Sequence, residues 1–313
     1  PVPVAAEAQT MNRGNHYIRL YLGMLLSVLL ASLFFSGLYC FNNKYTQHTT
    51  QPISGLLILS ETDMEQHPSR YLWHDWAYYP NVLLTPADFQ DGSPDRYMTY
   101  VNLQSGNRMD LSGQSDQARF GCGTYLLRIQ VPNTHISYSL DMPEVFSAYR
   151  LYINGNPALS IGNPDPDHYQ DATGSRLITF FPDENGRITI LIAVSNQSYF
   201  YSGMTFPPAF GTPQALNYTR GIRLGLRLCT IFMFQIAILV CGYFWFRTRH
   251  KNAALLALLC LLMIGWTVYP LLHTLFLLPV FPTYWLETLC CYGTLALLLY
   301  LHNQVCGISA TVS

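Results

Sequence analysis

Charged residues make up 11% of this 313-residue chain, against about 25% in an ordinary soluble domain. That scarcity argues against a wholly soluble protein. The formal net charge is −1 and no basic patch is visible, so no nucleic-acid partner is expected. Metal-type cysteine spacing is also missing. None of the eight cysteines stands in a CxxC or Cys/His cluster, and the adjacent Cys290-Cys291 reads as small apolar packing rather than a redox pair. Only Cys122 lies within 42–219, which excludes an internal disulfide there. No G-x-S-x-G, H-E-x-x-H, P-loop or G-x-G-x-x-G pattern occurs, so no enzyme constellation or cofactor fingerprint is legible.

The shortage of charge is uneven. Residues 42–219 hold 16 acidic and 9 basic residues, and the other 135 hold two and eight. Apolar runs fill those ends. Leu20–Phe41 is 22 residues without a charge, about the length that crosses a bilayer core. Arg13 and Arg19 precede it and no A-x-A-like site follows, so an uncleaved anchor over 20–41 is expected rather than a signal peptide. Further spans are expected at 228–246, 253–277 and 285–301, with Pro270 a kink site. The ends, 1–19 and 302–313, read as tails. The loop "RTRHK" (247–251) carries three Lys/Arg and the loop 278–284 carries none. Positive residues favour the cytoplasmic side, which puts 42–219 outside the cell and the N-terminus inside. Arg220, Arg223 and Arg227 vote weakly the other way and are expected to snorkel into headgroups. Glu287, the one acid within the apolar runs after 42–219, is expected at the interface. Gly23, Ser27 and Ala31 form a small-residue stripe that would support a homodimer through membrane helices.

The middle region alternates. Tyr125, Leu127, Ile129 and Val131 form one series, Ile136, Tyr138, Leu140 and Met142 a second, and Ile188, Ile190, Ile192 and Val194 a third. Period two marks strands with one face on a core. Asn154-Gly155 between two strand-like segments is a hairpin signal. Several short strands separated by prolines suggest an all-β sandwich or jelly roll over about 52–215.

The ordered segments "YYPNVLLTPADF", "GCGTYLLRIQVP", "PEVFSAYRLYING", "ITILIAVSN" and "FGTPQAL" resemble one family. It is the prokaryotic seven-transmembrane receptors with diverse intracellular signalling modules, and the likeness runs from about Leu72 to Pro270. "SAYRLYING" is also similar, more weakly, to the jelly rolls that accompany glycosidases. The resemblance implies an all-β, extracytoplasmic, galactose-binding-like jelly roll followed by transmembrane helices in a bacterial inner membrane. It implies a receptor with a histidine kinase or diguanylate cyclase output, as in two-component signalling. Only three helices follow the jelly roll here, so the chain is expected to be a fragment of a longer receptor and not itself an enzyme.

Candidate site residues follow from residue type and position. Trp76, Tyr78 and Leu83-Leu84 are expected to pack the core and strand edges, and "TPADF" to form a turn in which Thr85 or Asp88 caps a short helical segment. Trp73, out of phase with Trp76, is the candidate exposed aromatic for stacking on a sugar. Arg128, Glu144 and Asn154 would line a polar pocket if they converge; otherwise Arg128 lies on a solvated face and Asn154 serves its turn. Tyr199 and Tyr201, in "SNQSYFYSG", would contact ligand or the helices. Asp165, Asp167 and Asp171 form a loop that is either solvated or a structural calcium site. The expected function is the sensory and membrane part of a bacterial receptor that binds a small ligand, a carbohydrate being the candidate. The alternative is a membrane-tethered carbohydrate-binding module.

Overall fold

The structure, a computed structural model, describes residues 21–23, 25–37, 39–40, 49–103, 120–198 and 203–306. Tyr199 and Tyr201 lie outside them. The chain divides into two units, Pro1–His48 and Thr49–Ser313. In the first unit, helix α1 (Tyr21–Gly37) is apolar.

The described residues of the second unit hold eleven strands in two sheets. Sheet A has the order β4 (Thr99–Val101), β3 (Trp76–Pro80), β5 (Gly121–Gln130), β10 (Arg187–Asn196), β7 (Ala148–Ile153) and β8 (Asn156–Ile161). β1 (Leu56–Ile58) pairs in parallel with the end of β5, beyond the reach of β3. Sheet B has the order β2 (Ser69–Tyr71), β11 (Ala209–Gly211), β6 (Tyr138–Met142) and β9 (Arg176–Phe180). Short helix α2 (Glu61–Gln66) precedes β2.

Alternation builds the core. In the β5–β10 pairing Tyr125 faces Ile192, Leu127 faces Ile190 and Ile129 faces Ile188. These six side chains share one cluster with Tyr138, Leu140, Met142 and Phe210 of sheet B. The domain is therefore a two-sheet sandwich whose inner faces meet. The hairpin signal is realised at the β7–β8 turn, where Asn154 and Gly155 have φ of 51° and 80°. The alternation also predicts strand from Ile136, but β6 starts at Tyr138. The Asn133 side chain accepts from the His135 N–H at 2.9 Å and its carbonyl accepts from the Tyr138 hydroxyl at 3.1 Å. These local bonds hold residues 133–137 in a turn instead.

The stretch "WAYYPNVLLTPADF" wraps both faces of sheet A. Trp76 and Tyr78 point into the sandwich and are buried. Ala77 and Tyr79 point outward, where the chain returns over them. Leu84 is buried in a second cluster with Ala77, Tyr79, Leu126 and Leu191, and Val82, Phe89 and Tyr152 pack against it. Thr124 pins the return: its hydroxyl donates to the Val82 carbonyl and accepts from the Leu84 N–H, both at 2.8 Å. Asp88 closes the following turn by accepting from the Thr85 N–H at 2.7 Å.

Three long helices follow: α3 (Pro213–Thr248), α4 (Lys251–Leu275) and α5 (Val280–Cys306). Each is long and apolar enough to cross a membrane, which marks the chain as a membrane protein. α3 has 36 residues, roughly 54 Å at 1.5 Å per residue. That exceeds the roughly 30 Å of a hydrocarbon core, so its first turns stand clear of it. Those turns carry the sandwich. Only Thr212 separates β11 from α3, and its hydroxyl accepts from the Ala215 N–H as an N-cap.

Gly211 closes β11 between β2 and β6. A Cβ there would lie 2.2 Å from the Pro68 carbonyl oxygen and 2.8 Å from the Ser69 Cα, both backbone, whereas one at Gly221 within α3 meets nothing. Gly211→Ala should lower stability by about 1–3 kcal/mol, and Gly221→Ala should raise it by up to about 1 kcal/mol. Thermal unfolding of the two variants in detergent checks the opposite signs.

Candidate functional site

Two concavities contain expected site residues. The first, about 350 Å³, lies on the outer face of sheet A. Leu126 and Leu191 form its floor, Pro86 and Phe89 of the returning segment form one wall, and Tyr152, Arg128, Asn154 and Asp183 complete it. Arg128 is exposed, and among the described residues its guanidinium enters no ion pair and no side-chain hydrogen bond. Asn154 is occupied structurally. Its amide oxygen accepts from the Thr189 N–H at 2.8 Å and its amide nitrogen donates to the Phe181 carbonyl at 3.1 Å. One oxygen of Asp183 accepts from the N–H groups of Asn185 and Arg187. The concavity thus offers one uncommitted cation, an apolar floor and two aromatic walls. A ligand with an apolar face and a polar or anionic edge matches it.

Glu144 is not part of that group. It lies in the β6–β7 loop and lines a second cavity, about 250 Å³, where the sandwich meets the helices. Asp141, Ser175, Arg220, Arg223, Arg227 and Thr274 share that cavity. Arg220 donates to Asp141 at 2.7 Å in an ion pair that is largely buried. Arg223 hydrogen-bonds the Tyr71 hydroxyl. Burial pushes the Asp141 carboxyl up, against the pull of Arg220 and Arg223. Burial also lifts Glu144 to about 7, with Arg227 opposing and Glu287 reinforcing. The expected snorkelling of the arginines is therefore not what Arg220 does; it turns into the protein. The alternation that put Asp141 on an outer face was sound, but that face lies under α3 rather than in solvent.

The same junction is stitched a second time. Thr173 and Leu278, from the β8–β9 loop and the α4–α5 loop, exchange backbone bonds of 2.8 and 3.2 Å. Ser175 N–H donates to the His273 carbonyl at 3.0 Å and Arg176 to the Thr274 carbonyl at 3.1 Å. Gly174 permits this approach, since a Cβ there would fall 2.8 Å from the Leu277 side chain. The α4–α5 loop is therefore on the sandwich side of the helices.

The remaining candidates are scattered. Trp73 is half-buried, edge-on to His74 at 5.1 Å, and lines neither concavity. Asp165 accepts from the Asp167 N–H at 3.1 Å, and Asp171 accepts from the Ser198 hydroxyl at 3.2 Å. Among the described residues no group of three or more His, Cys, Asp or Glu is gathered for a metal ion. Sequence reasoning missed Phe89, Asp183 and Tyr152 in the first concavity. Outward alternation of Tyr152 between Leu151 and Ile153 was the available signal; nothing local announced that 82–89 folds back.

No protein-family model matches the chain, and no curated protein does; these comparisons give the receptor family no support. Solved structures do match. The GH2 beta-galacturonidase of Eisenbergiella tayi matches at 11% identity and a TM-score of 0.32, over 46% of this chain and 24% of that one. The beta-glucuronidase of Ruminococcus gnavus matches at 12% and 0.33, over 46% and 29%, and that of Bacteroides uniformis at 13% and 0.35, over 45% and 17%. The chain spans less than a third of the length of these enzymes. The expectation that the chain is not an enzyme is corrected on this finding, because the proteins it is similar to are glycosidases. Likeness at this level gives the chain neither a substrate nor a reaction.

Removing one partner of a buried ion pair strands the other, at about 3–5 kcal/mol. Arg220→Gln should therefore destabilise the chain by about 3 kcal/mol, and Asp141→Leu with Arg220→Met should recover most of the loss; chemical unfolding of single and double variants reads both. Glu144 supplies a pH dependence. Its folded value of about 7 exceeds the ordinary 4.5, so the folded chain holds the proton more tightly. Its contribution is full below pH 4.5, falls as pH rises to about 7, and is flat above. Glu144→Gln should remove that slope from the melting temperature measured against pH.

Proposed function

We propose that the chain is the sensory and membrane portion of a bacterial signal-transduction receptor. Its sandwich, a galactose-binding-like jelly roll on this reading, faces the outside of the inner membrane and binds a small ligand, a carbohydrate being the candidate. The outer-face concavity holds the ligand, with Arg128 orienting a polar or anionic group and Tyr152 and Phe89 flanking its apolar face. The single observation that carries the reading is the direct passage of β11 into α3 through Thr212 alone. A sandwich so joined cannot reorient without moving the helix. The charge-free α4–α5 loop, 276–279, and the basic segment 247–251 support the same orientation, because the first touches the sandwich through Leu278 and the second closes the far end of α3.

A panel of neutral and acidic mono- and oligosaccharides titrated against the full chain in nanodiscs tests this. Binding should raise hydrogen-exchange protection around 121–130 and 150–156 and alter exchange in 212–227. Arg128→Ala should weaken binding roughly tenfold, the loss of one charge-assisted contact. Binding that Arg128→Ala leaves intact would remove the concavity from the proposal. Binding with no change in 212–227 would favour a tethered binding module over a receptor.

A further inference from the structure

Arg220, Arg223 and Arg227 lie at spacings of three and four, which places them on one face of α3. They differ in what satisfies them. Arg220 has Asp141. Arg223 has a neutral phenol, the hydroxyl of Tyr71, whose ring centre lies 5.9 Å from the guanidinium carbon. Arg227 is in no hydrogen bond or ion pair within 4 Å among the described residues; its carboxylate neighbour, Glu144, acts on it only at longer range. Burial lifts the Glu144 carboxyl to about 7, which weakens it as a counter-charge. The cavity therefore holds three guanidiniums against two carboxylates, of which only Asp141 is in an ion pair among the described residues.

Its position matters as much as its charge. The apolar run of α3 begins at Leu228, directly after Arg227, so the cavity sits where hydrocarbon gives way to headgroups. Leu224 and Pro270 form an apolar side to it, and Ser175 and Thr274 add hydroxyls. A bare water-filled cavity would leave the excess positive charge unmatched in a partly buried place. A phosphodiester supplies the missing anion, and two guanidinium forks grip phosphate oxygens by charge-assisted bonds.

We propose that this cavity binds the phosphate headgroup of an anionic phospholipid. Arg223 and Arg227 donate to the phosphate oxygens, and the glycerol and first methylenes lie against Leu224 and Pro270. The lipid then fills the gap between sandwich and bundle. The proposal shares with the receptor reading only the membrane placement of α3–α5, and it stands whether or not any sugar binds the outer face.

The test uses the full chain, purified in neutral detergent and stripped of lipid. Phosphatidylglycerol and phosphatidylcholine are titrated separately, with native mass spectrometry counting retained lipid and melting temperature as the second readout. Phosphatidylglycerol should be retained and should raise the melting temperature, with little effect from phosphatidylcholine. Arg227→Gln, which leaves the Asp141–Arg220 pair in place, should weaken that retention roughly tenfold. Arg247→Gln, at the far end of α3, should leave it unchanged. Equal retention of both lipids by the wild-type chain would overturn the proposal without recourse to any variant. So would unchanged phosphatidylglycerol retention in Arg227→Gln. Reproduction of the whole thermal shift by millimolar inorganic phosphate would also overturn it, assigning the cavity to a free anion.

Discussion

The join between sandwich and helices governs the rest of this structure. A β-strand and an α-helix that follow one another with a single residue between share one rigid frame, because the strand's ladder and the helix's first turn each fix the backbone. Thr212 is that residue, and Pro213 at the first helical position suits it, since the missing N–H would have had no partner there. The join is one attachment. It becomes a platform because the β8–β9 loop pairs with the α4–α5 loop through Thr173 and Leu278. Two attachments, one on α3 and one at the α4–α5 turn, hold the domain against rotation about either.

Closing such a platform buries polar surface, and the cavity at the junction shows how that cost is met. Sheet B presents Asp141 on the face that α3 covers, and Arg220 reaches it. The neighbouring carboxylate, Glu144, has no such partner at bonding distance among the described residues, and burial lifts it to about 7. One carboxylate is paired at 2.7 Å and the other is lifted by burial. The pairing of Asp141 fixes register between sheet and helix, whereas Glu144 leaves room for something else in the cavity.

Much of the sandwich was readable from the chain because its strands obey period two. Tyr125, Leu127, Ile129 and their partners Ile192, Ile190 and Ile188 were each on the predicted face, and Asn154-Gly155 announced its turn through the positive φ it requires. What failed to show was whatever depends on chain segments meeting from a distance. Arg128 and Asn154 do share a concavity, but Glu144 faces the helices instead, because the β6–β7 loop runs toward α3. The wall made by Pro86 and Phe89 depends on Thr124, about 40 residues away, which bonds the returning segment. Alternation puts a side chain on a face; it does not say what covers that face. Ser139 and Asp141 were placed outward correctly and are covered nonetheless.

The two concavities lie on different sheets, and this limits how one could influence the other. Tightly packed cores resist continuous deformation, and the cluster between the sheets runs unbroken from Tyr125 and Ile190 to Tyr138 and Phe210. A ligand on the outer face of sheet A therefore has no soft path by which to push Asp141 or Arg220 singly. What it can bias is the seating of the whole sandwich on its two attachments, and only to the extent that it binds one seating more tightly than another. The junction cavity is where alternative seatings would differ in contact and charge. With the proposed lipid in that cavity, its headgroup would bear on how firmly the platform is seated, and the surrounding membrane would then share in any coupling between domain and helices.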